Sequence, residues 1–160
     1  MDRVKRATRH IGAAETDLSC KPTAVPRAAF TWPVRVYYED TDLGGVVYHA
    51  NYLRFMERAR TEWLRALGFE QDALRDRLGI QFVVVEAKVA FRRPARFNDE
   101  LTVTTVIRET GRASIVFDQV IRSVTADTEV CTGEIRVACI DCEAFKPKSL
   151  PPELLTELDR

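Results

Sequence analysis

Hydrophobic and polar positions follow a helical rhythm through the middle of the chain. From Tyr52 to Leu67, apolar residues recur three and four positions apart, and charged residues occupy most of the positions between them. This spacing puts the apolar side chains on one face of a long α-helix. Gly68 is predicted to end that helix, with Arg65 in the last turn, where the helix dipole favours a cation. A shorter helix is predicted from about Gln71 to Leu78, ending at Gly79.

Alternation of apolar and polar residues predicts strands on both sides of these helices. Residues 33–39 alternate in this way, and Gly44 and Gly45 then break the pattern. Four more alternating runs follow the helices, and the short turns between them predict antiparallel neighbours. Pro151 and Pro152 begin a short terminal helix. The predicted inward positions of the four runs are Val85, Ala87, Val89 and Phe91; Leu101, Val103, Thr105 and Ile107; Ile115, Phe117 and Ile121; and Cys131, Ile135, Val137 and Cys139.

One apolar-faced helix and one antiparallel sheet have to bury their faces against each other. The chain is therefore predicted to form an α+β domain with the sheet curled around the long helix. A chain of 160 residues is long enough for one such core. Residues 1–28 show no sustained periodicity and are predicted to form a flexible tail, so the domain is expected to span residues 29–160.

Charge and cysteine content argue against several classes of function. Twenty-four basic residues balance twenty-four acidic ones, so neither a nucleic-acid partner nor an anionic membrane surface is predicted. No apolar run approaches the roughly 20 residues of a membrane span, and no apolar segment follows the basic N-terminus as in a secretory signal. The cysteines are expected to be reduced thiols of a cytoplasmic protein, since one Cys139-x-x-Cys142 pair is weak evidence for a zinc or redox site.

Residues 37–52, with the sequence YYEDTDLGGVVYHANY, carry the candidate chemistry. Carboxylates, two glycines and the start of the long helix follow one another directly. This arrangement suits hydrolysis of an activated acyl group, because a carboxylate supplies a base or nucleophile and a helix N-terminus supplies backbone donors for an oxyanion. Asp42 can fill that role, or it can cap the turn or the helix. Gly44 and Gly45 allow backbone to approach a substrate closely, or form only a tight turn.

The neighbouring polar residues leave further choices open. Asp40 is expected to have a structural role, such as binding loop N–H groups or an arginine, while Glu39 points to the opposite face. His49 can contact substrate, assist proton transfer or orient a neighbour, and its backbone N–H is the favoured functional group. Aspartate, glutamate and histidine, the residue types at positions 39, 40, 42 and 49, can bind metals. The chain has only two histidines, however, so no metal and no other cofactor is predicted.

The segment EDTDLGGVVYHANYLRFMERARTEWL, residues 39–64, resembles the hotdog-fold acyl-CoA thioesterases of the 4-hydroxybenzoyl-CoA thioesterase type. It is most similar to their bacterial, Tol-Pal-associated, YbgC-like branch. The resemblance runs from about Trp32 to Leu154 and includes the later segments FVVVEAKVAF, PARFNDELTV and KPKSLPPEL. It implies a hotdog fold, hydrolysis of acyl-CoA to a carboxylate and CoA, and a homodimer or homotetramer with acyl-CoA bound between subunits.

The resemblance also implies roles for particular residues. The family's catalytic carboxylate falls on Asp42, and the backbone N–H that polarises the thioester carbonyl falls at or next to His49. The remaining candidates are expected to contact the substrate. Among them, Arg92 and Arg93, together with Arg96, are candidates to bind the phosphates of CoA. Three such arginines more usually belong to a solvated loop. The substrate-contact set is Gly44, Gly45, Val46, Tyr48, Asn51, Arg92 and Arg93.

A second class of function stays open at this point. The same fold can serve as a binding module that docks acyl carrier protein or a partner in phospholipid synthesis, with little hydrolysis. A hotdog dehydratase is disfavoured, because the segment around Asp42 and His49 resembles the thioesterase motif. Acyl-chain length and type, CoA or carrier protein as the thioester carrier, and dimer or tetramer are not distinguished by the sequence.

Overall fold

The structure of the protein, a computed structural model, describes residues 28–158. Residues 1–27, which hold nearly all of the predicted tail and Cys20, lie outside the described residues, so the boundary near residue 28 stays a prediction. The elements follow in chain order as β1 (Phe30–Arg35), a 3₁₀ turn (Tyr38–Asp40), α1 (His49–Ala66), α2 (Gln71–Leu78), β2 (Ile80–Phe91), β3 (Glu100–Thr110), β4 (Ser114–Ser123), β5 (Thr128–Asp141) and α3 (Pro152–Leu158).

The strands form one curved antiparallel sheet in the order β1-β3-β4-β5-β2, and α1 packs on it. The predicted α+β class, with a sheet curled around one long helix, is confirmed. Short turns do join neighbours where β3 pairs with β4 and β4 pairs with β5. The prediction that consecutive strands are neighbours in the sheet is wrong for β2 and β3. β2 pairs with β5, and β3 pairs with β1. None of the helices described in residues 28–158 has the length and apolarity of a membrane span.

The core lies between α1 and the sheet, as the helical rhythm predicts. The buried positions of α1 recur at helical spacing and comprise Asn51, Tyr52, Phe55, Met56, Ala59 and Leu64. On the sheet, Cys131 and Cys139 are fully buried in β5, and burial raises the pKa of the Cys131 thiol to about 11. A Cβ atom at Gly133 would lie 2.8 Å from the Met56 sulfur. Helix and sheet therefore approach closely where β5 carries a glycine.

Both predicted helix ends are confirmed, and each depends on a glycine with positive φ. Gly68 has φ +87° and Gly79 has φ +60°. The N–H groups of Gly68 and Phe69 donate to the carbonyls of Arg65 and Leu64, at 2.8 and 3.1 Å. These bonds satisfy carbonyls that the end of a helix leaves without intrahelical partners.

The first strand is shorter than its alternation predicts. β1 ends at Arg35, and residues 38–40 form the 3₁₀ turn instead of extending the strand. The Asp40 carboxylate accepts the Tyr37 N–H at 2.8 Å, and the Asp40 N–H donates to the Tyr37 carbonyl at 3.1 Å. Such local bonds compete with strand pairing. Tyr38, which the alternation groups with Val34 and Val36, is 82% exposed as a result.

The predicted inward face of β2 is also wrong for the single chain. Val85 is 56% exposed, Phe91 is 53% exposed, and Ala87 is exposed as well. In the sheet formed by residues 28–158, β2 is an edge strand that pairs only with β5, and its register shifts between Val84 and Glu86. Its apolar residues therefore lie beside an open edge of the sheet. The alternating pattern predicts a strand but does not indicate that the strand lies at an edge.

Candidate active site

A small hairpin carries the predicted carboxylate. Thr41 and Val47 form an antiparallel bridge. Between them, the Asp42 N–H donates to the Val46 carbonyl at 3.0 Å and the Gly45 N–H donates to the Asp42 carbonyl at 2.9 Å. Gly45 has φ +70°, a conformation that costs an L side chain about 1–2 kcal/mol. The second glycine is therefore what lets the chain reverse within this loop.

The Asp42 carboxylate is exposed and held by one hydrogen bond. Its Oδ1 accepts the Gly44 N–H at 2.8 Å. A Cβ atom at Gly44 would lie 3.0 Å from that oxygen, so glycine leaves room for the bond. Within residues 28–158, Oδ2 accepts no hydrogen bond and the carboxylate forms no ion pair. Asp42 thus caps the turn with one oxygen and keeps the other available for chemistry.

Buried polar contacts anchor this hairpin to the rest of the domain. The Asp40 carbonyl accepts the Tyr48 N–H at 2.8 Å and the Asn51 side-chain amide at 2.9 Å. Asp40 and Asn51 are both buried. Asn51, a predicted substrate contact, therefore lies in the interior and secures the hairpin, and the carboxylate of Asp40 binds a loop N–H as expected.

Tyr52 is a site-supporting residue that the sequence indicates only as core. Its hydroxyl oxygen accepts the Ala95 N–H at 3.0 Å, and the Ala95 carbonyl accepts the Val47 N–H at 2.8 Å. Burial raises the pKa of Tyr52, so the hydroxyl stays neutral. One tyrosine on α1 thus ties the connection between β2 and β3 to the hairpin. An apolar rhythm cannot reveal this role, because tyrosine satisfies the core pattern with its ring alone.

The N-terminus of α1 offers two backbone donors beside the hairpin. Tyr48 precedes α1 without a side-chain cap, and in the described part of the chain the N–H groups of His49 and Ala50 donate to no protein group. The His49 ring is exposed, with its centroid 4.5 Å from that of Tyr48 and 6.2 Å from that of Phe91. Free N–H groups at a helix start, reinforced by the helix dipole, favour an anion.

The connection after β2 brings cationic side chains to the same region. Phe91, which ends β2, contacts the rings of both His49 and Tyr52. Arg92 and Arg93 follow it, and their N–H groups donate to the Val130 carbonyl at 2.8 and 3.1 Å. Their side chains are exposed and, among residues 28–158, form no ion pair or side-chain hydrogen bond. The structure therefore brings these two arginines to the end of β2 that contacts the start of α1.

Two further predicted contacts occupy the hairpin itself, since Val46 is half-buried and Tyr48 is exposed. Nowhere in residues 28–158 do three or more His, Cys, Asp or Glu side chains cluster closely enough to hold a metal ion. Considering only residues 28–158, the arrangement consists of an available carboxylate oxygen, helix N-terminal donors without a protein acceptor, and arginines that form no ion pair. A curved antiparallel sheet around one helix, with this site at the helix N-terminus, defines a hotdog-fold protein of the thioesterase class.

Comparison with known proteins agrees with that class. The chain belongs to the thioesterase-like superfamily, whose sequence pattern matches residues 36–158. It is 46% identical over 129 residues to the acyl-CoA thioester hydrolase YbgC of Escherichia coli O6:H1, covering 80% of this chain and 94% of that protein. It is 45% identical over 125 residues to the acyl-CoA thioesterase YbgC of Haemophilus influenzae, covering 78% and 90%.

A solved structure shows the same fold. The crystal structure of a probable thioesterase from Bartonella henselae superposes with a TM-score of 0.72 at 37% identity, covering 78% of this chain and all of that one (100%). The predicted family, the hotdog fold and the assignment as a thioester hydrolase are confirmed.

Proposed function

We propose that this protein hydrolyses acyl-CoA thioesters to a free carboxylate and CoA, with Asp42 and the N-terminus of α1 as the catalytic groups. The observation that carries the proposal is the Asp42 carboxylate, which is held through Oδ1 by Gly44 while Oδ2 has no partner in residues 28–158. The relatives described above are acyl-CoA thioesterases by name, which supports CoA as the thiol.

The reaction needs a nucleophile at the thioester carbonyl and donors for the oxygen that becomes negative. Asp42 accepts a proton from water as the water attacks the carbonyl carbon, or it attacks that carbon itself and forms a mixed anhydride that water then cleaves. In both routes the carbonyl electrons move to oxygen, where the N–H groups of His49 and Ala50 stabilise them. Collapse of the tetrahedral species expels the CoA thiolate, which is a good leaving group.

A second copy of the chain completes this proposal. The Asp42 carboxylate and the His49 ring are both exposed in the single chain, whereas a hydrolytic site gains strength when water is partly excluded. The open edge of β2, with Val84 and Val85 more than half exposed, offers unpaired backbone to a second copy. We therefore propose a homodimer at minimum; the cytoplasmic location, a Tol-Pal association and acyl carrier protein as an alternative carrier stay predictions from the sequence.

Asp42→Asn tests the catalytic role without disturbing the turn. The asparagine oxygen can still accept the Gly44 N–H, but the amide is neither a base nor a carboxylate nucleophile. We expect thiol release from a panel of acyl-CoAs to fall by about 10²–10³-fold, the range for loss of one catalytic group. Asp76→Asn, at an exposed position on α2, is the matched control.

An Asp42→Asn protein that keeps the parent rate would refute this mechanism. If instead the parent protein releases no thiol from any acyl-CoA but binds acyl carrier protein in a calorimetric titration, the chain is a binding module. Circular dichroism of each variant establishes that the fold is retained.

A further inference from the structure

Arg60, on α1, is a half-buried cation that forms no ion pair with a carboxylate of residues 28–158. Its side chain is half-buried, and its Nη1 donates to the Gln119 side-chain oxygen at 2.6 Å. Burial lowers its pKa to about 10, which leaves it charged at neutral pH, and the charge of Glu57 opposes that effect. Across residues 28–158 the guanidinium forms no ion pair within 4.0 Å. An arginine in such surroundings is normally paired.

Gln119 holds Arg60 in a fixed orientation. Gln119 is 1% exposed on β4, and its Nε2 donates to the Met56 carbonyl at 3.0 Å and to the Thr105 hydroxyl at 2.8 Å. Both amide protons are thereby used, so Gln119 can present only its oxygen to Arg60. A guanidinium has five N–H donors, of which this oxygen takes one. Within residues 28–158 the bond to Gln119 is the one hydrogen bond of the Arg60 side chain. Because no fully enclosed side-chain nitrogen or oxygen of the described residues lacks a partner, Nε and Nη2 of Arg60 are not fully enclosed by protein.

A cavity lies beside Arg60, between α1 and the sheet. Its volume is about 90 Å³, room for about three groups the size of a water molecule. Arg60 lines one wall, and much of the lining is apolar, including Trp63, Phe82, Phe117 and Leu154. The polar side chains at its rim are linked, since the Thr61 hydroxyl donates to Glu57 at 2.8 Å and accepts the Gln71 amide at 3.0 Å.

A row of side chains on α1 joins the helix N-terminus to this cavity. Positions 50, 53, 57, 61 and 64 lie three or four residues apart and therefore share one flank of the helix. Leu53, in that row, is 40% exposed, and Glu57, Thr61 and Leu64 line the cavity. From His49 to Met56, whose carbonyl and the Arg60 guanidinium both bond to Gln119, the helix rises about 11 Å. An extended chain gains about 1.2 Å per backbone bond, so about nine bonds, those of a ten-carbon chain, span this distance.

We propose that this cavity receives the far end of the substrate's acyl chain and that Arg60 selects chains carrying a carboxylate at that end. The inference rests on the proposed function, since it places the thioester at the N-terminus of α1. A ligand carboxylate can accept two parallel N–H bonds from one guanidinium, and within residues 28–158 no carboxylate lies close enough to Arg60 to do so. The length of the flank makes the substrate a dicarboxylic acyl-CoA of about ten carbons.

The test compares two acyl-CoAs that differ only at the far end. For the parent enzyme, we expect a higher kcat/KM on decanedioyl-CoA than on decanoyl-CoA. Arg60→Met keeps the apolar stem and removes the charge, and should lower the ratio of the two kcat/KM values by about 10- to 100-fold, as for loss of hydrogen bonds to a charged group. Butanedioyl-CoA and butyryl-CoA, too short to reach Arg60, should show no such dependence on the variant.

Two further variants separate recognition from folding. Arg54→Met, at an exposed position on the same helix, should leave the ratio unchanged. Arg60→Gln keeps a donor for Gln119, so it gives the same comparison if Arg60→Met does not fold. Equal ratios in the parent and in the folded Arg60 variant would overturn the inference, as would a parent enzyme that prefers decanoyl-CoA.

Failure of the proposed function is distinguishable from failure of this inference. If the parent protein hydrolyses no acyl-CoA, the proposed function fails, and the cavity is then tested by calorimetry with the inert thioethers S-decyl-CoA and S-(9-carboxynonyl)-CoA. Tighter binding of the carboxylated thioether, lost in Arg60→Gln, supports the role of Arg60. Equal binding of the two thioethers removes it.

Discussion

At the residue scale, the properties of Asp42 depend on the glycine two positions later. The carboxylate is within hydrogen-bond distance of the Gly44 N–H, and the place where a Cβ of residue 44 would stand lies 3.0 Å from Oδ1. Gly45 serves a different need, because its φ of +70° turns the loop while nothing crowds its Cβ position. The two adjacent glycines therefore have separable roles, one beside the carboxylate and one in the backbone.

Gly44→Ala should lower activity more than stability. The added methyl group displaces the Asp42 carboxylate by a few tenths of an ångström or more, and a misplaced catalytic group costs up to about 10²-fold in rate. We expect kcat for acyl-CoA hydrolysis to fall by about 10- to 100-fold, with the urea midpoint nearly unchanged.

The matched control is Gly111→Ala. A Cβ atom there also comes within 3.0 Å of a side-chain oxygen, that of Ser114, but in the turn between β3 and β4. If both alanine variants retain the parent kcat, the position of the Asp42 carboxylate does not limit the reaction.

At the element scale, β2 and the connection that follows it link the parts of the site. The ring of Phe91, at the end of β2, contacts the rings of His49 and Tyr52. The backbone of Ala95 forms hydrogen bonds with the Tyr52 hydroxyl and with the Val47 N–H of the hairpin. Arg92 and Arg93 are held by their backbone to Val130, while their side chains remain exposed. A connection that is rigid in its backbone and cationic at its surface is suited to bind the phosphates of CoA.

Charge reversal at Arg92 or Arg93 tests that role. Arg92→Glu and Arg93→Glu remove an attraction to phosphate and add a repulsion, so we expect KM for acyl-CoA to rise by about tenfold, equivalent to one hydrogen bond to a charged group, while kcat changes little. Steady-state kinetics at two salt concentrations measure both effects. Arg75→Glu, on the exposed side of α2, provides the comparison; a loss confined to kcat would argue against phosphate binding.

At the scale of the whole molecule, two parts of the single chain are exposed in a way that a second copy could cover. Among the described residues, no strand pairs with the side of β2 that faces away from β5. The carboxylate of Asp42 is exposed to solvent. A long edge strand with exposed apolar residues readily pairs with another strand. A second copy at this edge would also border the cavity, because Val84 lies both on the edge strand and in the cavity wall.

Val85→Lys tests the assembly. A lysine at the centre of the open edge opposes pairing by charge and by desolvation, so we expect the protein to shift from dimer to monomer and thiol release to fall with it. Light scattering coupled to size exclusion measures the mass. Val124→Lys, at a similarly exposed valine in the turn before β5, should change neither; a parent protein that is monomeric and fully active would refute the dimer proposal.

Local pattern accounts for the elements and for the position of the site motif. The helical rhythm and the glycines at 68 and 79 predict α2 and the C-terminal end of α1, because periodicity and positive φ are properties of neighbouring residues. The same applies to the hairpin glycines next to Asp42. The rhythm begins at Tyr52, whereas α1 begins at His49. Where a side chain bonds to nearby backbone, the pattern fails, as at Asp40, whose carboxylate replaces the end of the predicted strand with a 3₁₀ turn.

Non-local packing determines the strand order and the long-range side-chain contacts, which local pattern does not predict. Apolar alternation predicts that β2 is a strand, but not that it pairs with β5 at one edge and leaves Val85 open, because strand order is set by contacts far apart in sequence. The same holds for Arg60 against Gln119, 59 positions away. It also holds for Asn51, which lies within the candidate motif yet is buried and bonds to the Asp40 carbonyl. Sequence alone thus defines the helices and the candidate carboxylate, because both depend on neighbouring residues, whereas packing in three dimensions determines the edge strand, the cavity and the partners of its polar side chains.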